Sequence, residues 1–124
     1  MKILVVDDEQ DIKILFQQSF RREIRAGQFE FSFMYSGEQA LAFLKEHDHE
    51  AILILSDINM PGMTGIELLR RIKKATPTPP PIVMMITAYG DKETYDEALA
   101  LGADDFLNKP IDFSSLKTKL ANLL

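Results

Sequence analysis

The chain has no cysteine, no excess of basic residues and no long apolar run, and each absence excludes a class of protein. Without cysteine there is no disulfide framework, no thiolate metal site and no cysteine nucleophile, which suits a reducing compartment. A formal net charge of -5 gives no electrostatic reason to bind nucleic acid or an anionic membrane. The N-terminal apolar segment is too short for a signal peptide, and no later one could span a bilayer. We therefore expect a cytoplasmic protein.

Apolar and helical segments alternate five times along the chain, which has 124 residues and a hydrophobic content of 46%. This length fits one domain, spanning residues 1–124. Short apolar runs followed by segments of helical period predict βα units on a parallel sheet. The unbroken run at residues 3–6 is typical of a central strand buried on both faces. Within residues 29–35, three phenylalanines alternate with Glu30 and Ser32, which predicts a half-exposed edge strand.

The third and fourth strands are predicted at the short apolar runs of residues 51–56 and 82–86, and a short fifth strand is predicted at residues 105–108. Two helices carry apolar stripes that are expected to face the core. The members of these stripes are Ile12, Leu15, Phe16 and Phe20 in the first helix, and Leu116, Leu120 and Leu123 in the last. The proline-rich residues 76–81 predict a stiff surface loop.

Helix boundaries are indicated by capping residues. Two pairs have the spacing of a capping box, Ser36 with Gln39 and Thr64 with Glu67. The fourth helix is expected from about residue 91 to residue 101, with Gly102 as its left-handed stop. The last helix is expected to begin at a cap supplied by Asp112.

Polar side chains follow four of the predicted strands, and these are Asp7, Asp8, Asp57, Thr87 and Lys109. Because parallel strands deliver their carboxyl ends to one edge of a sheet, these side chains are expected to lie close together. In the strand order 2-1-3-4-5 the three carboxylates would converge, which is unfavourable unless a cation is present. Oxygen ligands without thiolates favour Mg²⁺ over Ca²⁺ or Zn²⁺. Lys109 and Thr87 would supply a positive charge and a hydrogen-bond donor for phosphoryl oxygens.

Each of these residues also has an ordinary interpretation when it is taken alone. Aspartate at the end of a strand is most often a cap or turn residue, and a threonine or lysine there is usually solvated. Only the joint placement of these residues favours a metal and phosphoryl site over these ordinary interpretations. His47 and His49 are weak metal candidates and are expected to be solvated.

Four separated motifs together resemble the receiver domain of two-component response regulators. They are DDE after strand one, DINMPGMTG after strand three, TA after strand four and KP after strand five. The resemblance covers essentially the whole chain. It implies an α/β, flavodoxin-like (βα)5 three-layer sandwich with a parallel sheet in the order 2-1-3-4-5. It also implies a signalling module of a phosphorelay, which is not an enzyme beyond its own phosphorylation and dephosphorylation.

The resemblance assigns a role to each site residue. Asp57 is the phosphoacceptor, which attacks a phosphohistidine or a small acyl phosphate. Mg²⁺ is held by Asp8, by Asp57 and by the backbone carbonyl of Asn59, and Asp7 acts through a bound water. Lys109 binds a phosphoryl oxygen.

The resemblance also implies a conformational switch. Thr87 and Phe106 match the family's switch pair, in which the hydroxyl moves toward the phosphoryl group and the ring turns inward. Pro110 is expected to follow a cis peptide bond that aims Lys109 into the site. An aromatic side chain at Tyr89 is hypothesised to shield the acyl phosphate from water.

The implied partners are a sensor histidine kinase or histidine phosphotransfer protein, and a downstream protein or output domain. The output would bind the face of helix four, strand five and helix five, counted over five βα units. Direct contact with nucleic acid or membrane is not expected. The chain is either a stand-alone, chemotaxis-regulator-like receiver or the receiver of a longer regulator.

One alternative is a Mg²⁺-dependent phosphatase or phosphotransferase that uses an aspartyl-phosphate intermediate. Such enzymes commonly need a second carboxylate two residues beyond the nucleophile, and that position is Asn59. A third possibility is an unphosphorylated scaffold.

Overall fold

Five parallel strands form one sheet in the order β2-β1-β3-β4-β5 in the computed structural model, which describes residues 1–47, 53–75, 81–88 and 92–123. The strands are β1 Lys2–Val6, β2 Glu30–Met34, β3 Leu53–Asp57, β4 Ile82–Thr87 and β5 Asp105–Asn108. The helices are α1 Asp11–Ser19, α2 Arg21–Arg25, α3 Gly37–Glu46, α4 Gly65–Ala75, α5 Lys92–Ala100 and α6 Phe113–Ala121. This confirms the predicted α/β fold and its strand order.

Two apolar cores lie on opposite faces of the sheet, because successive side chains of a strand point to opposite sides. In β1, Ile3 and Val5 join the core beneath α1 and α6, while Leu4 and Val6 join the core beneath α3, α4 and α5. The result is a helix-sheet-helix sandwich whose central strands are buried on both faces. Its strand ends are therefore held rigidly, which is what a site built from several strands requires.

Helices begin at the capping residues that the sequence indicates. The Ser36 hydroxyl accepts from Gln39 N at 3.1 Å, and the Asp112 carboxylate accepts from Ser115 N at 3.2 Å. Each bond satisfies one of the free N–H groups of a first helical turn. Gly102 follows α5 with a φ of 101°, a left-handed conformation that glycine adopts without a steric penalty.

Two residues of the predicted apolar stripes are exposed, and these expectations were wrong. Leu15 is 47% exposed, because α1 faces the sheet through Ile12, Phe16 and Phe20, and Leu15 lies on the flank of that stripe. Leu123 is 38% exposed, since α6 ends two residues before it. The short helix α2 was not predicted.

Several predictions fall on residues outside the described ranges. These are the shielding role of Tyr89, the solvation of His49, the loop at residues 76–80, the start of the fourth helix at residue 91 and the first two residues of strand three. The described part of that strand is Leu53–Asp57, so Asp57 is its last residue. His47 stacks on Phe43 with ring centroids 4.2 Å apart, rather than being fully solvated. Among the described residues, no helix is both long and apolar enough to cross a membrane.

Candidate functional site

Three carboxylates meet at the carboxyl edge of the sheet. Asp7 and Asp8 follow β1, and Asp57 ends β3, which lies beside β1 in parallel register. One oxygen from each carboxylate lies within 4.8 Å of the other two. Asp7 is 1% exposed and Asp57 is 3% exposed, whereas Asp8 lies in solvent. The two strands therefore bring the predicted acidic residues together, although these are 50 positions apart in the chain.

Lys109 provides the positive charge nearest to this cluster. Its Nζ donates a hydrogen bond to Asp57 Oδ2 at 3.0 Å and forms an ion pair with Asp7 Oδ2 at 3.5 Å. The backbone N–H of Asn59 donates to the other oxygen of Asp57 at 3.3 Å. The carboxylate of Asp57 is thus oriented through both of its oxygens.

One ammonium group does not satisfy two buried carboxylates. Asp7 Oδ1 accepts from Glu9 N at 2.9 Å, but Asp7 Oδ2 has no hydrogen-bond partner among the described residues. A buried oxygen of this kind is uncommon and costs free energy. Three neighbouring carboxylates, two of which share Lys109, have the charge and the oxygen donors that suit a hard dication. The donor set therefore fits a Mg²⁺ ion.

Burial raises the pKa of the Asp57 carboxyl above its ordinary value, and the charge of Asp7 adds to this, while Lys109 and the Asn59 N–H act in the opposite direction. For Lys109, burial lowers the pKa of the ammonium. The hydrogen bond to Asp57 and the charges of Asp57, Asp7 and Glu9 outweigh burial, so the pKa of Lys109 is raised. Lys109 is therefore held in its cationic form beside Asp57.

The end of β5 delivers Lys109 to the site. Its backbone N–H donates to the carbonyl of Thr87 at 2.9 Å, which joins the ends of β4 and β5. The Lys109–Pro110 peptide bond is cis. A groove of about 560 Å³ opens beside Lys109, with Ile12, Leu15 and Phe113 in its apolar lining. Asp7 and Lys109 thus line the same groove as these apolar side chains.

Thr87 and Phe106 occupy neighbouring strands. Thr87 is the last residue of β4, and its hydroxyl donates to the carbonyl of Ala88 at 2.7 Å, so it does not bond to the acid cluster. Phe106 in β5 is half-buried, and its ring centroid lies 4.2 Å from that of Tyr95 in α5. Their coupled movement stays a prediction.

The loop after Asp57 is clamped in a way that the sequence did not indicate. A Cβ at Gly65 would lie 2.0 Å from the backbone oxygen of Asp57, so only glycine fits at this crossing. From α3, the Glu38 carboxylate accepts from the backbone N–H of Met63 at 3.3 Å. The only signal in the sequence is a second glycine in this loop, three residues after Gly62.

Ser56 had no predicted function, and the structure explains its place in a buried strand. The hydroxyl is 1% exposed and donates to the backbone oxygen of Asp57 at 3.1 Å. A buried hydroxyl needs such a partner. Ser56 thus supports the backbone of Asp57.

Comparison with known proteins was consistent across sequence and structure. The family described as "Response regulator receiver domain" matches residues 3–121. The transcriptional regulatory protein ZraR of Salmonella typhimurium is 38% identical over 122 residues, covering 98% of this chain and 26% of that protein. The two-component response regulator PhoP of Pseudomonas aeruginosa is 33% identical over 124 residues, covering 100% of this chain and 52% of that protein.

A solved structure gives the same result. A response regulator receiver domain protein from Clostridium thermocellum superposes with a TM-score of 0.83 at 29% identity, covering 98% of this chain and 91% of that one. The curated relatives are longer, since the chain spans only about a quarter of ZraR and about half of PhoP.

Proposed function

The chain belongs to the response regulator receiver domain family, and from this premise we propose that Asp57 accepts a phosphoryl group in a two-component phosphorelay. The observation that carries the proposal is a buried carboxylate, at the end of a central strand, in contact with Lys109 and next to two further carboxylates. The donor would be a sensor histidine kinase or a histidine phosphotransfer protein. Because a kinase draws on cytoplasmic ATP, we assign the transfer to the cytoplasm.

In the transfer, an oxygen of Asp57 attacks the phosphorus of the donor's phosphohistidine. A phosphorus–oxygen bond forms, the phosphorus–nitrogen bond breaks, and the imidazole nitrogen keeps the electron pair. Lys109, which contacts Asp57 Oδ2, would turn to a phosphoryl oxygen and offset its negative charge. Attack of water on the acyl phosphate later returns free Asp57 and inorganic phosphate.

A Mg²⁺ ion would be held by Asp8, Asp57 and the backbone carbonyl of Asn59, with Asp7 acting through a bound water. The buried Asp7 Oδ2, which has no hydrogen-bond partner among the described residues, supports this assignment. When bound, the ion supplies positive charge to the carboxylates and to the phosphoryl oxygens. Without the ion, Lys109 alone faces both Asp7 and Asp57.

Phosphorylation would be read out through Thr87 and Phe106. The Thr87 hydroxyl would exchange its bond to Ala88 for a phosphoryl oxygen, and Phe106 would turn inward and leave its contact with Tyr95. The face formed by α5, β5 and α6 would then bind a downstream protein or a linked output domain. Two exposed side chains of α5, Tyr95 at 43% and Leu99 at 46%, support this choice of face.

The test is incubation with Mg²⁺ and acetyl phosphate, followed by intact-mass measurement. We expect one added phosphoryl group that persists for seconds or longer and is absent in Asp57→Asn. The matched control is Asp96→Asn, which removes an exposed carboxylate of α5 and should be modified like the wild type. Multiple turnover on phosphate esters would instead indicate the phosphatase alternative. No modification at any Mg²⁺ concentration would indicate an unphosphorylated scaffold.

A further inference from the structure

A second apolar groove lies at the β2 edge of the sheet, and nothing in the proposed phosphotransfer uses it. We call it the β2-edge groove, and its volume is about 340 Å³. It is lined by Gln17, Ile24, Gly27, Phe29, Glu30, Phe31 and Phe33. One wall is therefore the helical segment α1–α2, and the other is the outer strand of the sheet.

The groove presents apolar surface to solvent. Phe29 is buried, but Phe31 and Phe33 are only half-buried and Ile24 is 37% exposed. Ile14, three residues before Gln17 on the same helix, is 55% exposed. Scattered exposed apolar residues are ordinary, but several around one concave groove indicate a binding surface.

The helical wall carries unpaired positive charge. Arg21, Arg22 and Arg25 are exposed, and none of them forms an ion pair with any carboxylate of the described residues. The one acidic residue of α2, Glu23, is directed to Lys117 of α6 at 3.4 Å. These arginines form a basic rim in the sense that they lie on the helix that supplies Ile24 to the groove. On a chain with a net charge of -5, such local positive charge favours an acidic partner.

Strand β2 is also open on one side. Among the described strands it pairs only with β1, so its outer edge offers backbone donors and acceptors to an added strand. An extended segment that pairs with such an edge places alternate side chains on one face of the sheet. Here that face holds Phe31 and Phe33.

We propose that the β2-edge groove binds an extended, acidic segment of another protein by strand addition to β2. Apolar side chains of the segment pack against Phe31, Phe33 and Ile24, and its carboxylates face Arg21 and Arg25. Since β2 and β5 are the two outer strands of the sheet, this partner does not compete for the α5-β5-α6 face.

A second copy of the chain is a poorer occupant. Symmetric pairing of two β2 strands would bring the same basic rim from each copy to one interface, and like charges there oppose association. A lipid surface is flat, whereas the apolar residues of this groove line a cleft.

The test uses a short synthetic peptide in which glutamate alternates with valine and phenylalanine, titrated into ¹⁵N-labelled protein. We expect the largest amide shifts at residues 29–34, and binding that weakens as salt is added. Arg21→Glu with Arg25→Glu should weaken binding by about tenfold or more. The control is Lys45→Glu with Lys74→Glu, which makes the same charge change at exposed sites of α3 and α4 and should leave affinity within about twofold.

Ile24→Ser tests the apolar contact separately. The three altered residues, Arg21, Ile24 and Arg25, are exposed, so these variants should fold. Circular dichroism checks this. A peptide of the same composition with its acidic and apolar residues in separate blocks should bind more weakly. The proposal is overturned if the alternating peptide does not bind, or if the arginine variants bind it like the wild type. Preference for anionic vesicles over the peptide, or dimerisation through β2 in place of peptide binding, would also overturn it.

Discussion

The surroundings of Asp57 oppose a negative charge on its carboxylate. Burial is the largest contribution that raises the pKa of its carboxyl, and the neighbouring charge of Asp7 raises it further. Lys109 compensates only in part, because the same ammonium also faces Asp7. A negative charge on this buried carboxylate therefore lowers the stability of the fold, as is common for charged groups in functional sites.

We predict that Asp57→Asn stabilises the protein in metal-free buffer. A raised folded-state pKa means that the ionised carboxylate disfavours folding at neutral pH, and asparagine removes that charge while keeping an oxygen for Lys109. Thermal unfolding with EDTA should show a melting temperature a few degrees higher. Asp96→Asn, at an exposed position, should change little. A lower melting temperature for Asp57→Asn would show that the Lys109 pair outweighs burial.

Gly65 is constrained by close packing rather than by backbone conformation. Its Cβ position lies 2.0 Å from the oxygen of Asp57, so Gly65→Ala must displace the acceptor strand or α4. We expect a loss of about 2 kcal/mol or more in the free energy of unfolding, and slower phosphorylation by acetyl phosphate. Urea titration measures the first effect and intact mass the second.

Gly27 provides the matched control, because it has a φ of 74° and nothing within 4 Å of its Cβ position. In Gly27→Ala the free energy of unfolding should fall only by the cost of placing alanine in the left-handed conformation, about 1 kcal/mol. The rate of phosphorylation should be unchanged. Equal losses of stability and activity in both variants would contradict a specific clamp at Gly65.

At the scale of elements, β5 is tied to α6 by Asp105 and Lys119. Their charged groups are 2.6 Å apart, and the Phe106 N–H also donates to Asp105. Burial raises the pKa of the Asp105 carboxyl, but the bonds from Lys119 and Phe106 and the charge of Lys119 outweigh it, so the pKa is lowered. This pair holds the strand that carries Phe106 and leads to Lys109.

We predict that Asp105→Asn destabilises the protein in a pH-dependent manner. A lowered folded-state pKa contributes stability above the unfolded value of about 3.9, and this contribution is lost as the pH falls through the folded value. Because both groups are partly exposed, the loss at neutral pH should be about 0.5 kcal/mol. Urea titrations at neutral and strongly acidic pH should show the difference from wild type shrinking on acidification. A stability difference that is independent of pH would show that the charge of Asp105 is not its cause.

Helix boundaries and helix faces differ in how much of their cause is local. Ser36 and Asp112 cap their helices through bonds to residues three positions away, so a short stretch of sequence is enough to predict them. Leu15 has helical spacing from Ile12, yet it is exposed. Which flank of an amphipathic helix is covered depends on how the helix lies across the sheet.

At the scale of the whole molecule, the acid cluster predicts that Mg²⁺ stabilises the fold. A ligand that binds only the folded state adds about 1.4 kcal/mol when its concentration is tenfold above its dissociation constant. We expect the melting temperature to rise with added Mg²⁺, and to rise much less in Asp8→Asn. Asp8 is the exposed member of the cluster, so this variant should fold. Equal responses in wild type and Asp8→Asn would contradict the assigned metal site.

Strand order also separates the surfaces of the molecule. The acid cluster lies between the central strands β1 and β3, whereas β2 and β5 are the outer strands. A donor at the carboxyl edge, an output partner at the β5 side and a strand added at β2 would therefore contact different parts of the sheet. The arrangement allows several contacts on one small domain.

The sequence by itself determined the alternation of strands and helices, the caps and the five polar residues at strand ends. These depend on periodicity and on contacts a few residues apart, which are local. Only the tertiary structure decided that one buried oxygen of Asp7 has no hydrogen-bond partner among the described residues, that Gly65 passes against the backbone of Asp57 and that Glu38 holds the loop after it. The β2-edge groove also exists only once α2 is set beside the outer strand. Each of these depends on the distance between residues that are remote in the chain, and packing alone sets that distance.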